Sequence, residues 1–254
     1  MYRYLKKVYL AADVYAICLQ HALTTEKQEI MGLLIGEVNE EERISHIEAC
    51  VILHRSDKQP DRVEISPEQL CTASEHADYL ARKLKKPMRV LGWYHSHPHI
   101  TVCPSHVDIG TQDTYQLMDP LFVGLIFSVY HSDSGSKTNQ IQLICFQSGK
   151  NLKQELEHKE IELVINKAPL HDYNMAGITN LSKILIQEEV DSYVEDDNQD
   201  ELAALHNDAF KTLALVHIVS KVARPLCDDL EERLKATKIR IDELLKLKQQ
   251  LEET

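Results

Sequence analysis

Apolar residues recur with two different periods along the first 150 positions, and the switches between them mark the elements. Over residues 13–24, Val14, Ile17, Cys18 and Ala22 fall near helical spacing, which predicts a helix. The run Ile30-Met31-Gly32-Leu33-Leu34-Ile35 is short, apolar and closed by Gly36, which predicts a buried strand. Residues 43–53 predict its hairpin partner, across the acidic turn Asn39-Glu40-Glu41-Glu42. Residues 54–64 are polar and contain Pro60, predicting a surface loop. Ser66-Pro67-Glu68-Gln69 then predicts a helix start, with serine at the N-cap, proline at the first position and glutamine at the third. That helix should run to about Lys85, before Pro87.

Residues 88–97 are β-rich and lead into a loop between Pro98 and Pro104. A helix over 105–118 follows, then strands over 122–130 and 140–146 joined by the turn at 131–137. This mixture predicts an α+β layered core. Beyond residue 150 the pattern weakens, although 156–165 reads as one further strand. Residues 188–201 carry eight acids and no base, which predicts a solvated linker or frayed helix end. The expected organisation is a core domain over 1–175, a helical and acidic linker over 176–201, and a helical region over 202–254. In that last region Leu205, Ala209, Thr212, Val216, Val219 and Ala223 form a stripe before Pro225, which should kink or break the helix. From Cys227 the seam Leu230, Leu234, Thr237, Ile241, Leu244, Lys248, Leu251 steps alternately by three and four. Such a seam serves either an amphipathic helix packed on its own domain or a coiled coil or bundle with a partner.

Composition narrows the function classes. The 254 residues carry a net charge of −12, against nonspecific nucleic-acid binding, which needs Lys and Arg to neutralise phosphates. The N-terminal segment is broken by Lys6, Lys7 and Asp13 and has neither a long apolar signal core nor a membrane-spanning run, so an intracellular protein without a membrane association is expected. Both cytoplasm and nucleus stay open. The six cysteines are scattered and form no C-x-x-C pair, which suits reduced thiols.

The chemistry concentrates in the segment from Gly92 to Gln112. His95 and His97 stand at i and i+2, so on a strand both imidazoles face the same side and reach one ion. Asp108 can supply a third ligand from the first turn of the following helix. Three protein ligands leave one tetrahedral position open, the arrangement of a catalytic zinc site. Taken singly, each residue has a plainer role: most H-x-H pairs are ordinary histidines, and Ser105-x-x-Asp108 is also a helix-capping pattern. His99 and His106 fit no ligand spacing and are read as non-ligands.

Together these residues read H-S-H-P-x6-S-x-x-D, which resembles the JAMM motif of the MPN+ metalloprotease family. The resemblance implies an MPN fold, one Zn2+ per chain on His95, His97 and Asp108, and Ser105 beside the metal. It also implies a general acid/base glutamate upstream. On the residues alone Glu26 and Glu29 are equal candidates; the context Glu29-Ile30-Met31-Gly32 resembles the family's and favours Glu29. Residues 11–150 are most similar to the branch of that family formed by the lysine-63-specific deubiquitinase subunits of the BRISC assembly and its nuclear relative. That implies cleavage of lysine-63-linked polyubiquitin and pairing with an MPN− pseudo-protease subunit through the MPN domain and the C-terminal helices. A non-catalytic MPN scaffold and an isopeptidase for another ubiquitin-like conjugate are the alternatives. Nothing singles out a Cys–His pair, and the H-x-E and P-C-x-x-C elements of zinc deaminases are absent.

Overall fold

Alternation begins the fold: Val8 and Leu10 are fully buried, while Lys7 and Tyr9, which alternate with them, are partly exposed, giving strand β1 (Lys7–Ala11). In the computed structural model, which describes residues 4–55, 65–131, 140–151, 153–167, 172–192 and 200–252, the chain divides into Met1–Leu181 and Ser182–Thr254. After β1 the first unit contains α1 (Ala12–Ala22), β2 (Met31–Asn39), β3 (Ile44–Ile52), α2 (Pro67–Leu84), β4 (Arg89–Pro98), α3 (His106–Met118), β5 (Val123–His131), β6 (Gln140–Lys150), β7 (Leu156–Glu160) and β8 (Glu162–Asn166). Helix α4 (Asp172–Asp191) includes the point of division. The eight strands form one mixed sheet in the order β7-β6-β5-β4-β2-β3-β1-β8.

The apolar run of β2 is buried on both faces because the sheet is covered on both sides. On one side Met31 and Leu33 pack with Trp93 and with Ala73 of α2, and Ile35 packs with Ala77 and Leu80. Full burial of a residue such as Leu80 contributes about 2 kcal/mol. On the other side Gly32 lies under the ring of Tyr94, whose hydroxyl meets His21 Nδ1 of α1 at 3.0 Å. A Cβ on Gly32 would fall 2.2 Å from that ring, so glycine is required by close packing. The order is helix, sheet, helix: an α+β layered domain of the kind the sequence predicts.

Several details depart from expectation. Gly36 does not close β2; the strand continues to Asn39, with a register shift at Ile35/Gly36 against β3. A side chain there would collide with the His46 carbonyl, at 1.9 Å, so the glycine permits the irregular pairing. The segment read as one strand over 156–165 is two, β7 and β8, separated only by Ile161, and they occupy opposite ends of the strand order. Residues 160 and 162 are at most about 7 Å apart along the chain, so the sheet curls until its two ends approach each other. Strand β1 escapes the sequence reading because its alternation is short and interrupted by lysines. The loop at 56–64 and the turn at 132–139 lie outside the described residues, as do 193–199 of the acidic stretch.

Capping follows the sequence. Ser66 Oγ accepts from Gln69 N–H at 3.2 Å, and Gln69 Oε1 accepts from Ser66 N–H at 3.0 Å. In the second unit, α5 (Glu201–Ile218) and α6 (Arg224–Glu252) are joined by a π-helical turn at Val219–Ala223. Pro225 therefore neither breaks nor ends the helix. The Arg224 N–H bonds to Val219 O, and this wider i→i+5 turn accommodates the proline just beyond it. None of the helices in the described residues is long and apolar enough to cross a membrane.

Candidate metal centre

Strand β4 runs between β2 and β5, and this central place fixes its histidines. His95 pairs with Met31 on one side and Ile126 on the other; His97 pairs with Ser128. As alternate residues they project from the same face, beside Trp93, whose ring stacks on His95 at 4.5 Å and 15°. Both imidazoles are almost wholly buried. Asp108 reaches them from the third position of α3, where Ser105 is the N-cap.

The donor atoms converge. His95 Nε2 lies 3.1 Å from His97 Nε2, 3.3 Å from Asp108 Oδ1, and His97 Nε2 lies 3.4 Å from Asp108 Oδ2. Among the described residues these three side chains form the one group arranged to hold a metal ion. Two donors ~2.0–2.1 Å from a common tetrahedral centre lie about 3.3 Å apart, so the spacing fits zinc. The donor chemistry fits as well. His97 Nδ1 donates to the Thr101 carbonyl at 2.8 Å, which leaves Nε2 of the neutral ring as a lone pair facing the site.

The capping reading of Ser105 and Asp108 is realised, and Asp108 also faces the imidazoles. Ser105 Oγ accepts from Asp108 N–H at 3.2 Å, and Ser105 N–H donates to Asp108 Oδ2 at 2.6 Å. The carboxylate thus caps its own helix while its oxygens face the imidazoles. Burial pushes the Asp108 carboxyl up, but its contacts with the His95 and His97 rings and the Ser105 N–H outweigh it, and the group is held well below the usual carboxylate range. Burial pulls His95 below the ordinary histidine value against the opposing pull of Asp108. At His97 burial acts downward too, but Asp108, the Thr101 carbonyl and the charge of Glu29 together raise it.

Glu29 lies in the segment before β2, half-buried, close enough for its charge to act on His97. It is held there by the neighbouring Ile30, whose N–H donates to Ser96 Oγ at 3.0 Å and whose carbonyl accepts from Ser96 N–H at 3.1 Å. Ser96, between the two histidines, points to the opposite face and ties the Glu29 segment to the strand that carries them. His106 is exposed at the start of α3, and His99 is exposed with Nε2 3.7 Å from Glu26 Oε2; neither joins the donor group.

Other supporting residues were not found from sequence. Trp93 Nε1 donates to Gln112 Oε1 at 2.8 Å, and Gln112 Nε2 donates to Gln116 Oε1 and Phe122 O, both at 2.8 Å. Gln116 in turn exchanges hydrogen bonds with the Ser148 backbone of β6. This buried network docks α3 on the sheet and so places Asp108. A sequence signal exists: Asp108, Gln112 and Gln116 are four apart, on one helix face. The buried thiols Cys18 and Cys145 offer no rival site. Burial pushes Cys18 and Cys145 well above the ordinary thiol range, which keeps both protonated and poorly nucleophilic.

Residues 3–121 match the family description "JAB1/Mov34/MPN/PAD-1 ubiquitin protease", and residues 174–251 match "BRCC36 C-terminal helical domain". The chain is 51% identical over 250 residues to "Lys-63-specific deubiquitinase BRCC36" of Camponotus floridanus, covering 98% of this chain and 96% of that protein. It is 44% identical over 250 residues to the protein of the same name from Xenopus tropicalis, covering 96% and 95%. The Mus musculus protein of that name is 44% identical over 256 residues, covering 89% and 88%.

Proposed function

Because the chain belongs to the JAB1/Mov34/MPN/PAD-1 ubiquitin protease family, we propose that it is a zinc-dependent isopeptidase hydrolysing lysine-63-linked polyubiquitin as the catalytic subunit of a larger assembly. The observation that carries the reading is the convergence of His95 Nε2, His97 Nε2 and the Asp108 carboxylate at 3.1–3.4 Å, beside a glutamate pinned to the same strand. Near-full-length similarity to proteins named lysine-63-specific deubiquitinases supports the choice of substrate.

His95, His97 and Asp108 would hold the ion. Zinc at such a site supplies Lewis acidity, polarising a carbonyl and lowering the pKa of water toward ~7. The protein's own groups do the rest. The Glu29 carboxylate takes the proton of the attacking water and delivers it to the departing lysine amine. Ser105 Oγ, on the exposed edge of the site, accepts from Asp108 N–H and keeps its own proton to donate to the developing oxyanion. Thr101 O holds the His97 ring, and the Ser105 N–H keeps Asp108 ionised and in place. No thiol takes part.

The second unit supports assembly. Among its described residues, Leu205, Leu213, Val216, Leu234, Ile241, Leu244 and Leu251 are all at least half exposed, an apolar row that needs a partner. Pairing with an MPN− subunit through these helices and the first unit accounts for them. The test is cleavage of a panel of linkage-defined ubiquitin dimers by the chain co-expressed with such a subunit, with and without a chelator. Chelator-sensitive cleavage confined to the lysine-63 linkage is expected. Inertness of the assembled protein toward every linkage would overturn the reading.

A further inference from the structure

The metal centre depends on a carbonyl whose own support lies outside the donor set. The Thr101 carbonyl that holds His97 belongs to a short strap leaving β4 after Pro98. His99 adopts a left-handed backbone, φ 62°, and turns the chain so that the carbonyl four residues beyond His97 returns to its ring. The strap has little apolar anchorage of its own. Thr101 and His99 are exposed and Ile100 is 50% exposed, with only Val102 beyond them packed against the core. Contacts from β5 hold it instead: His99 N–H donates to Val129 O at 2.9 Å, Ser128 Oγ donates to Ile100 O at 2.6 Å, and the His99 ring lies against Tyr130 with centroids 5.7 Å apart.

Resting on the reading of the site as a zinc centre, we propose that Ser128 is a positioning residue for His97, setting the metal affinity through the Ile100–Thr101 peptide. Ser128 is fully buried and is the register partner of His97 in the parallel pair β4–β5. Besides the His97 ring itself, its hydroxyl is the side-chain donor that reaches the strap among the described residues. By fixing Ile100 O it fixes the peptide that follows, and with it the acceptor that selects the Nδ1–H tautomer of His97. Releasing the strap lets the ring rotate and the tautomer exchange, so that Nε2 is no longer held as a lone pair aimed at the ion.

Removing a direct outer partner of a ligand costs 10–100-fold in metal affinity. Ser128 acts one bond further out, so Ser128→Ala should weaken zinc binding by about tenfold. The measurement is competition of the full-length chain, Ser128→Ala and Ser128→Thr against a fluorescent chelator, with the thermal midpoint of each in excess chelator. Expected is tenfold weaker zinc binding by the alanine variant, with a metal-free midpoint close to that of the unaltered chain, and recovery to within about threefold by threonine, which restores the hydroxyl. Absorption of the cobalt-substituted chains should shift for alanine and not for threonine. Zinc binding by Ser128→Ala equal to that of the unaltered chain would overturn the proposal, as would equal weakness of both variants. Failure of the unaltered chain to bind zinc at all would instead sink the reading of the site itself.

Discussion

Glu29 and Asp108 are both carboxylates whose charges act on His97, yet they are held in different ways. Asp108 is locked by the Ser105 N–H at 2.6 Å and faces both Nε2 atoms, whereas Glu29 lies in a segment tied to the fold on both sides, by Ile30 to Ser96 and by Gln28 to Arg55. Asp108→Asn should therefore strip zinc from the protein, measured by elemental analysis. Glu29→Gln should keep stoichiometric zinc and lose about 10²–10⁴-fold in turnover by the assembled enzyme. Substantial activity in Glu29→Gln would remove the proton-transfer role. His21 gives a prediction about stability. It is buried against Tyr94, and burial, with a smaller contribution from Arg55, pushes its pKa down to about 3 from 6.5. The ring is neutral in the fold down to that value, while in the unfolded chain it takes up a proton below pH 6.5. The fold thus loses stability as pH falls from 6.5 toward 3, by about 2 kcal/mol at pH 5 if His21 acts alone. Urea unfolding at pH 7.5 and pH 5 should show a drop of that order in the unaltered chain beyond the drop in His21→Asn.

At the scale of elements, irregularities carry the specificity. Gly36 sits where β2 and β3 slip register, with the His46 carbonyl occupying the space of a side chain. Gly36→Ala should cost on the order of 3 kcal/mol, seen as a lowered urea midpoint. The π turn before Pro225 is a second case. Along the second unit the apolar stripe steps by three and four up to Ala223, then by four to Cys227 after a step of four, which amounts to one surplus residue in the repeat. A π turn absorbs one residue, so the stripe of α5 and the seam of α6 stay in line. Pro225→Ala lets the segment relax to regular α-helix, which turns the seam by about 100° relative to the stripe. Co-purification with the proposed MPN− subunit should fall while helical circular dichroism is kept.

For the whole molecule, the ion would tie together β4 and α3, elements otherwise joined through the sheet and the Trp93–Gln112–Gln116 network. Metal that binds only the folded domain stabilises it by about 4 kcal/mol at a thousandfold excess over its dissociation constant. Chelation should then lower the thermal midpoint by roughly 10 °C for a domain of this size, and re-addition of zinc should restore it. Alkylation of the thiols should leave activity intact. The sequence by itself determined the elements with strong local signals: the Ser66 capping box, the buried run of β2, the alternate histidines of β4 and the heptad seam. It also put His95 and His97 on one face of a strand and Asp108 at the third position of a capped helix, since both are local geometries, while the fold brought the two together. Only the tertiary structure decided that Ile161 separates two strands at opposite ends of the sheet, that Gly36 lies inside a strand, and that Ser96, Thr101 and Ser128 support the site. Those outcomes depend on which distant backbone groups become neighbours, and pairing across a sheet leaves no periodic trace in the chain that forms it.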